Sequence, residues 1–118
     1  MAELHVYTYS ACSTCRKALR WLRDNGIPFE EHPIRETPPS PDALRLGIRT
    51  CGGIRRVLNT SSRDYRDLGL KDRLDSMSEA DVFALIRGNG NLVKRPFLVG
   101  GSFALAGFKP DEWSRRIR

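Results

Sequence analysis

The 118-residue sequence predicts an α/β domain whose elements run βαβ, then a helical middle, then ββα. Three observations predict it. A β-branched and aromatic run at the start gives way at once to helical spacing. Proline and glycine signals then chop the middle into short helical pieces, and two apolar runs flank a Gly-Gly pair near the end.

Leu4-His5-Val6-Tyr7-Thr8-Tyr9 reads as the first strand. After Cys12, the apolar residues Ala18, Leu19, Trp21 and Leu22 recur at helical spacing until Asn25-Gly26 stops them. Pro28-Phe29-Glu30-Glu31-His32-Pro33 is a short extended segment, so residues 1–33 form a βαβ unit. Thr37-Pro38-Pro39-Ser40-Pro41-Asp42 is a rigid connector into the helical stretch 34–90. Within that stretch Ser78 caps a helix with early acids and Val82, Leu85 and Ile86 on one face. Pro96–Val99, Gly100-Gly101 and Ser102–Leu105 read as a hairpin with a Gly-Gly turn, and Pro110-Asp111-Glu112-Trp113 opens a last helix. One domain, 1–118, is expected, with 1–33 and 91–118 as its core and 34–90 as a helical insertion.

Composition bounds the function. A chain of this length buries a core without staples, and 40% hydrophobic with 29% charged residues is the balance of a globular domain. No apolar run approaches the ~20 residues that cross a membrane, and MAELHVYTYSACSTC has neither the basic nor the apolar region of a secretory signal. The expectation is a cytoplasmic protein with reduced thiols and no membrane partner. The net charge of +6 suits anionic partners, but the basic residues are scattered and no interleaved aromatics accompany them, so direct nucleic-acid binding is not expected.

The chemistry concentrates in Tyr9-Ser10-Ala11-Cys12-Ser13-Thr14-Cys15-Arg16-Lys17. A cysteine just before a helix sits among backbone N–H groups with no helical partner and beside the positive end of the dipole, both of which favour thiolate over thiol. A second cysteine one turn on can attack a mixed disulfide formed at the first, which is why C-x-x-C in a βα setting reads as a redox motif. Cys12 is the expected nucleophile and Cys15 the resolving or modulating cysteine, with Ser13 and Thr14 between them as expected substrate contacts. A zinc site needs two more ligands. His5, His32 and Cys51 are the candidates, none in a second C-x-x-C or H-x-x-H pair, so no metal is expected. Cys51 is read as a structural thiol.

The CSTCRK helix start, Asn59-Thr60-Ser61-Ser62-Arg63-Asp64-Tyr65-Arg66-Asp67-Leu68-Gly69-Leu70, Leu92–Val99 and Gly107-Phe108-Lys109 together resemble the ArsC/Spx/YffB family over nearly the whole chain. The resemblance implies a thioredoxin-like βαβ…ββα domain with a helical insertion. It also implies that Pro96 is a cis-proline facing the redox cysteine, placing the Lys94-Arg95 backbone against the Cys12 corner. Arg95 matches an arginine that holds the oxyanion in arsenate reductases of the family, a role suited to a planar, fixed cation. Two further arginines of that pattern are replaced, by Asn59, which brings no charge, and by Lys109, which lacks the fork geometry.

The resemblance further implies a function. The GFK ending and the NTSSRDYRDLGL stretch look closest to the YffB-like branch, a glutathione-linked thiol reductase, with glutathione as co-substrate, glutaredoxin or thioredoxin as redox partner, and no bound cofactor. The CSTC pair looks like the Spx arrangement, whose reversible disulfide switches a regulator that binds the RNA polymerase α-subunit. A reductase is the first expectation and a redox-switched regulator the alternative.

Overall fold

The computed structural model describes residues 4–117. A four-stranded sheet in the order β2-β1-β3-β4 is built from β1 (His5–Thr8), β2 (Glu30–Pro33), β3 (Phe97–Val99) and β4 (Ala104–Ala106). β1 pairs parallel to β2 and antiparallel to β3, and β3 pairs antiparallel to β4. This is the thioredoxin-like topology that the resemblance implies.

Alternation along the central strands decides which helices cover which face. Val6, Leu98 and Leu105 point to one face, where Ala18 and Leu22 of α1 (Ser13–Asp24) and Trp113 of α7 (Pro110–Ile117) bury them. Phe97 and Ala104 point to the other, into a core with Leu44 of α2 (Pro41–Cys51), Val57 of α3 (Ile54–Val57) and Val82, Phe83 and Ile86 of α6 (Glu79–Gly88). Tyr65 of α4 (Arg63–Asp67) and Leu70 of α5 (Leu70–Arg73) complete it. The helices of the 34–90 stretch thus share one core with the sheet. Among the described residues no helix is long and apolar enough to cross a membrane.

Two close approaches show how tightly that second face is packed. A Cβ at Gly47 of α2 would lie 2.9 Å from the Phe97 ring, and one at Gly90 would overlap the Ile34 carbonyl. Gly90 begins the 3₁₀ turn Gly90–Leu92 that leads into the Arg95 segment.

The terminal hairpin is longer than a Gly-Gly turn. Val99 pairs with Ala104, so Gly100–Phe103 form a four-residue loop closed by the Gly100 N–H donating to the Phe103 carbonyl at 2.8 Å. The reason is Phe103. Its ring folds back over Gly100 and into the α1/α7 core, so Ser102 and Phe103 leave the strand.

Gly107-Phe108-Lys109 has a structural basis as well. Gly107 adopts φ +83°, a left-handed conformation that suits glycine, and its N–H donates to the Pro96 carbonyl at 2.9 Å. Its own carbonyl accepts from Trp113 Nε1 at 3.1 Å. Phe108 and Trp113 meet edge to face with centroids 4.9 Å apart, and Trp21 of α1 joins them. Because Trp113 is fully buried and also ties the Gly107 turn, Trp113→Ala should cost about 3–5 kcal/mol of unfolding free energy, measured by urea denaturation. A loss below 1 kcal/mol would contradict its place at the centre of this face.

Candidate active site

Cys12 stands at the corner between β1 and α1. Its N–H donates to the Tyr9 carbonyl at 3.0 Å, and its extended backbone (φ −95°, ψ 113°) makes it the N-cap of α1. The Cys15 backbone N–H donates to Cys12 Sγ at 3.2 Å, so the sulfur fills the capping place that a serine oxygen takes elsewhere. Ser13 and Thr14 lie exposed in the first helical turn.

Cys15 is in a different environment. It is 1% exposed, against a half-buried Cys12, and both are free thiols. Burial, followed by the Cys12 hydrogen bond, pushes the Cys15 thiol up to about 12, against the lowering effects of the Tyr9 backbone and Arg95. One sulfur is presented to solvent, while its neighbour is held protonated until something removes its proton.

Arg95 precedes Pro96 through a cis peptide bond. Pro96 is buried and holds this segment against the sheet, while the Lys94 N–H donates to the Val57 carbonyl at 2.8 Å and Leu58 bridges Val93. Those pairings bring Asn59 and Arg95 into one cleft of about 510 Å³ lined also by Tyr9, Arg35, Arg63 and Asn91. The guanidiniums of Arg95 and Arg35 both lie 5.0 Å from the Tyr9 ring centroid, and Arg35 Nη1 donates to the Tyr9 hydroxyl at 3.1 Å. Since Tyr9 is also hydrogen-bonded to Cys12 through its backbone, the cationic cleft adjoins Cys12.

Arg95 is held by a chain of side chains. Its Nη1 donates to Asn91 Oδ1 at 3.1 Å, the Asn91 N–H donates to Asn89 Oδ1 at 3.1 Å, and Asn89 Nδ2 donates to Asp64 Oδ2 at 3.0 Å. This leaves the other guanidinium edges for an anion. Lys94 and Lys109 are both exposed and line a different cleft, with Cys51, Arg55 and Arg56. Cys51 is half-buried, and its thiol donates to the Ala104 carbonyl at 3.6 Å.

Spacing in the sequence pointed to Cys12 and Cys15, and the family resemblance to Arg95 and Asn59, but neither pointed to Tyr9, Arg35, Arg63 or the Asp64–Asn89–Asn91 chain. Arg35 and Arg63 carry no local signal, because basic residues are common throughout the chain. Asn89-Gly90-Asn91 did carry one, an Asn-capped tight turn placed just before the arginine. Among the described residues, the histidines join a carboxylate rather than a cysteine: His5, His32 and Glu30 form the cluster able to hold a metal.

A dithiol at the head of α1, a cis-proline segment and an adjoining cationic cleft define a thioredoxin-like thiol-chemistry domain. The chain belongs to the ArsC family, whose pattern it matches over residues 7–116. It is 39% identical to the uncharacterised protein YusI of Bacillus subtilis (strain 168) over 112 residues, 94% of this chain and 95% of that one. It is 32% identical to the regulatory protein MgsR of the same organism over 111 residues, 93% of this chain and 86% of that one. The crystal structure of a possible arsenate reductase from Streptococcus mutans UA159 superposes with a TM-score of 0.85 at 32% identity, covering 97% of this chain and 99% of that chain.

The raised Cys15 thiol has a consequence for pH. Unfolded, Cys15 ionises near its ordinary value of 9.0, and folded it holds its proton to about 12. Its contribution to stability is therefore present below pH 9 and lost as pH rises from 9 to about 12. In the same sense, iodoacetamide at pH 8 should label Cys12 in the folded protein and Cys15 only after denaturation, as read by peptide mapping. Equal labelling of the two in the folded protein would contradict the assignment.

Proposed function

We propose that the chain is a glutathione-linked thiol reductase with Cys12 as nucleophile and Cys15 as resolving cysteine. The observation that carries this reading is the Cys12 corner: a half-exposed sulfur capping α1, a protonated thiol one turn behind it, and an arginine-lined cleft alongside. Arg95, Arg35 and Arg63 give the cleft a positive field for the carboxylates of glutathione or for an oxyanion.

In this reading the Cys12 thiolate attacks one sulfur of a glutathione mixed disulfide. A Cys12–glutathione disulfide forms, and the other thiolate leaves and takes up a proton. Cys15 then gives up its proton and attacks the Cys12 sulfur, which forms the Cys12–Cys15 disulfide and releases glutathione. Two further glutathione thiols reduce that disulfide and depart as glutathione disulfide, so both electrons come from glutathione. Glutaredoxin or thioredoxin can replace glutathione in the last step. No bound cofactor takes part.

In this reading backbone groups of Ser13, Thr14 and Lys94, beside Pro96, would contact the substrate, with Asn59 as a weaker polar contact, whereas the Lys109 side chain lines the other cleft. Arsenate is the second substrate class considered. Asn59 supplies no charge where an arginine would, and Lys109 lines the other cleft, so Arg95, Arg35 and Arg63 would have to hold the oxyanion.

The second reading, a redox-switched regulator that meets the RNA polymerase α-subunit, is favoured by the likeness to MgsR, named a regulatory protein. A Cys12–Cys15 disulfide would change the surface at the head of α1 without turnover.

NADPH consumption coupled through glutathione, glutaredoxin and glutathione reductase separates the two. With a small glutathione mixed disulfide as substrate, turnover is expected, with Cys12→Ser inactive and Arg95→Ala slower by on the order of a hundredfold. No turnover, with clean formation of a Cys12–Cys15 disulfide and redox-dependent binding of the polymerase subunit, would replace the reductase by the regulator.

A further inference from the structure

The two histidines of the chain lie far apart in sequence and come together in the fold. Parallel pairing sets His5 opposite Glu30 and Tyr7 opposite His32, and two-residue alternation puts all four on one face of the β1–β2 edge. His5 Nδ1 lies 2.9 Å from His32 Nε2 and 3.5 Å from Glu30 Oε2.

We propose that His5, Glu30 and His32 form a binding site for a divalent ion of the zinc class, separate from the thiol site. The distances fit such an ion. At metal–ligand lengths of about 2.1 Å, tetrahedral ligand atoms stand about 3.4 Å apart. The two measured separations bracket that value, and all three ligand atoms lie within 4.8 Å of one another. One of the two facing nitrogens carries the shared proton; transfer of that proton to the same ring's other nitrogen leaves both facing lone pairs free for an ion.

The surroundings hold the set in position. The Tyr7 ring stacks on His32 with centroids 4.8 Å apart and 23° between planes, which fixes the imidazole that would otherwise rotate on an edge strand. The site is also open to ions and water. The side chains of His5 and Glu30 are 39% and 60% exposed, which leaves remaining coordination positions to solvent.

Donor chemistry selects the ion. Two imidazoles and a carboxylate suit Zn²⁺, Co²⁺, Ni²⁺ or Cu²⁺, whereas Ca²⁺ and Mg²⁺ want oxygen ligands alone. No cysteine belongs to the cluster, so the site needs no thiolate. An ion here would cross-link β2, the exposed edge of the sheet, to β1.

Titrating the reduced full-length chain with Co²⁺ tests the proposal, because sulfur ligation announces itself by near-ultraviolet charge transfer and nitrogen–oxygen ligation does not. Visible d–d bands without charge transfer are expected, kept in Cys12→Ser and lost in His32→Gln. Zn²⁺ should displace Co²⁺ and raise the melting temperature of the wild type but not of His32→Gln. Metal-free melting of the two proteins compares their folding directly. Absence of the bands, their persistence in His32→Gln, or charge-transfer bands lost in Cys12→Ser would each overturn the site. None of these readouts depends on reductase activity.

Discussion

Strand β1 is hydrogen-bonded on both sides, to β2 in parallel and to β3 antiparallel, and this double pairing fixes the distances on which the thiol site depends. Its C-terminal end sets Tyr9, whose carbonyl receives the Cys12 N–H and so fixes where α1 begins. Its pairing with β3 brings the start of that strand, and with it Pro96 and Arg95, to the same end of the sheet. A slip of one residue in either register would turn Val6 out of the core and carry Arg95 away from Tyr9. Fold and site are specified by the same pairings.

The two cysteines illustrate how one helical turn separates chemical roles. They differ little in sequence context, yet one caps the helix in partial contact with water and the other is buried under it. Helical geometry accounts for this, since a residue three positions on lies above the same face while its side chain turns toward the core. In the proposed reading this difference orders the dithiol in time: the half-buried outer sulfur would meet an incoming disulfide first, and the inner one would act once its proton has somewhere to go. The Arg95 segment lies close enough to Cys15 for its charge to oppose the burial.

Much of this was legible in the residues. Strand β1, the α1 helix and the C-x-x-C corner announce themselves by local pattern, as does the Ser78 cap, which appears as a full capping box with Asp81. The proline connector signals the start of α2, because its Pro41 takes the first helical position, where proline is favoured. What local pattern does not hold is long-range placement. Arg35 and Arg63 reach the cleft only because Ile34 and Tyr65 are buried beside them, and nothing in a scattered basic composition marks those two among twenty Lys and Arg. The extra hairpin residues were hidden for a related reason: Phe103 shares the α1/α7 face with Leu105, but its ring packs over Gly100, a contact that local pattern does not show. His5 and His32 lack metal-ligand spacing in sequence and acquire it from strand register alone.

The central claim is that Cys12 is the sulfur that meets the substrate and Cys15 the one that resolves it. Intact-protein and peptide mass spectrometry of Cys15→Ser after exposure to glutathione disulfide tests it most directly. The account predicts one stable glutathione adduct, located on Cys12, where the unsubstituted chain proceeds to a Cys12–Cys15 disulfide with no adduct remaining. An adduct on Cys51 with Cys12 unmodified, or none at all, would contradict it.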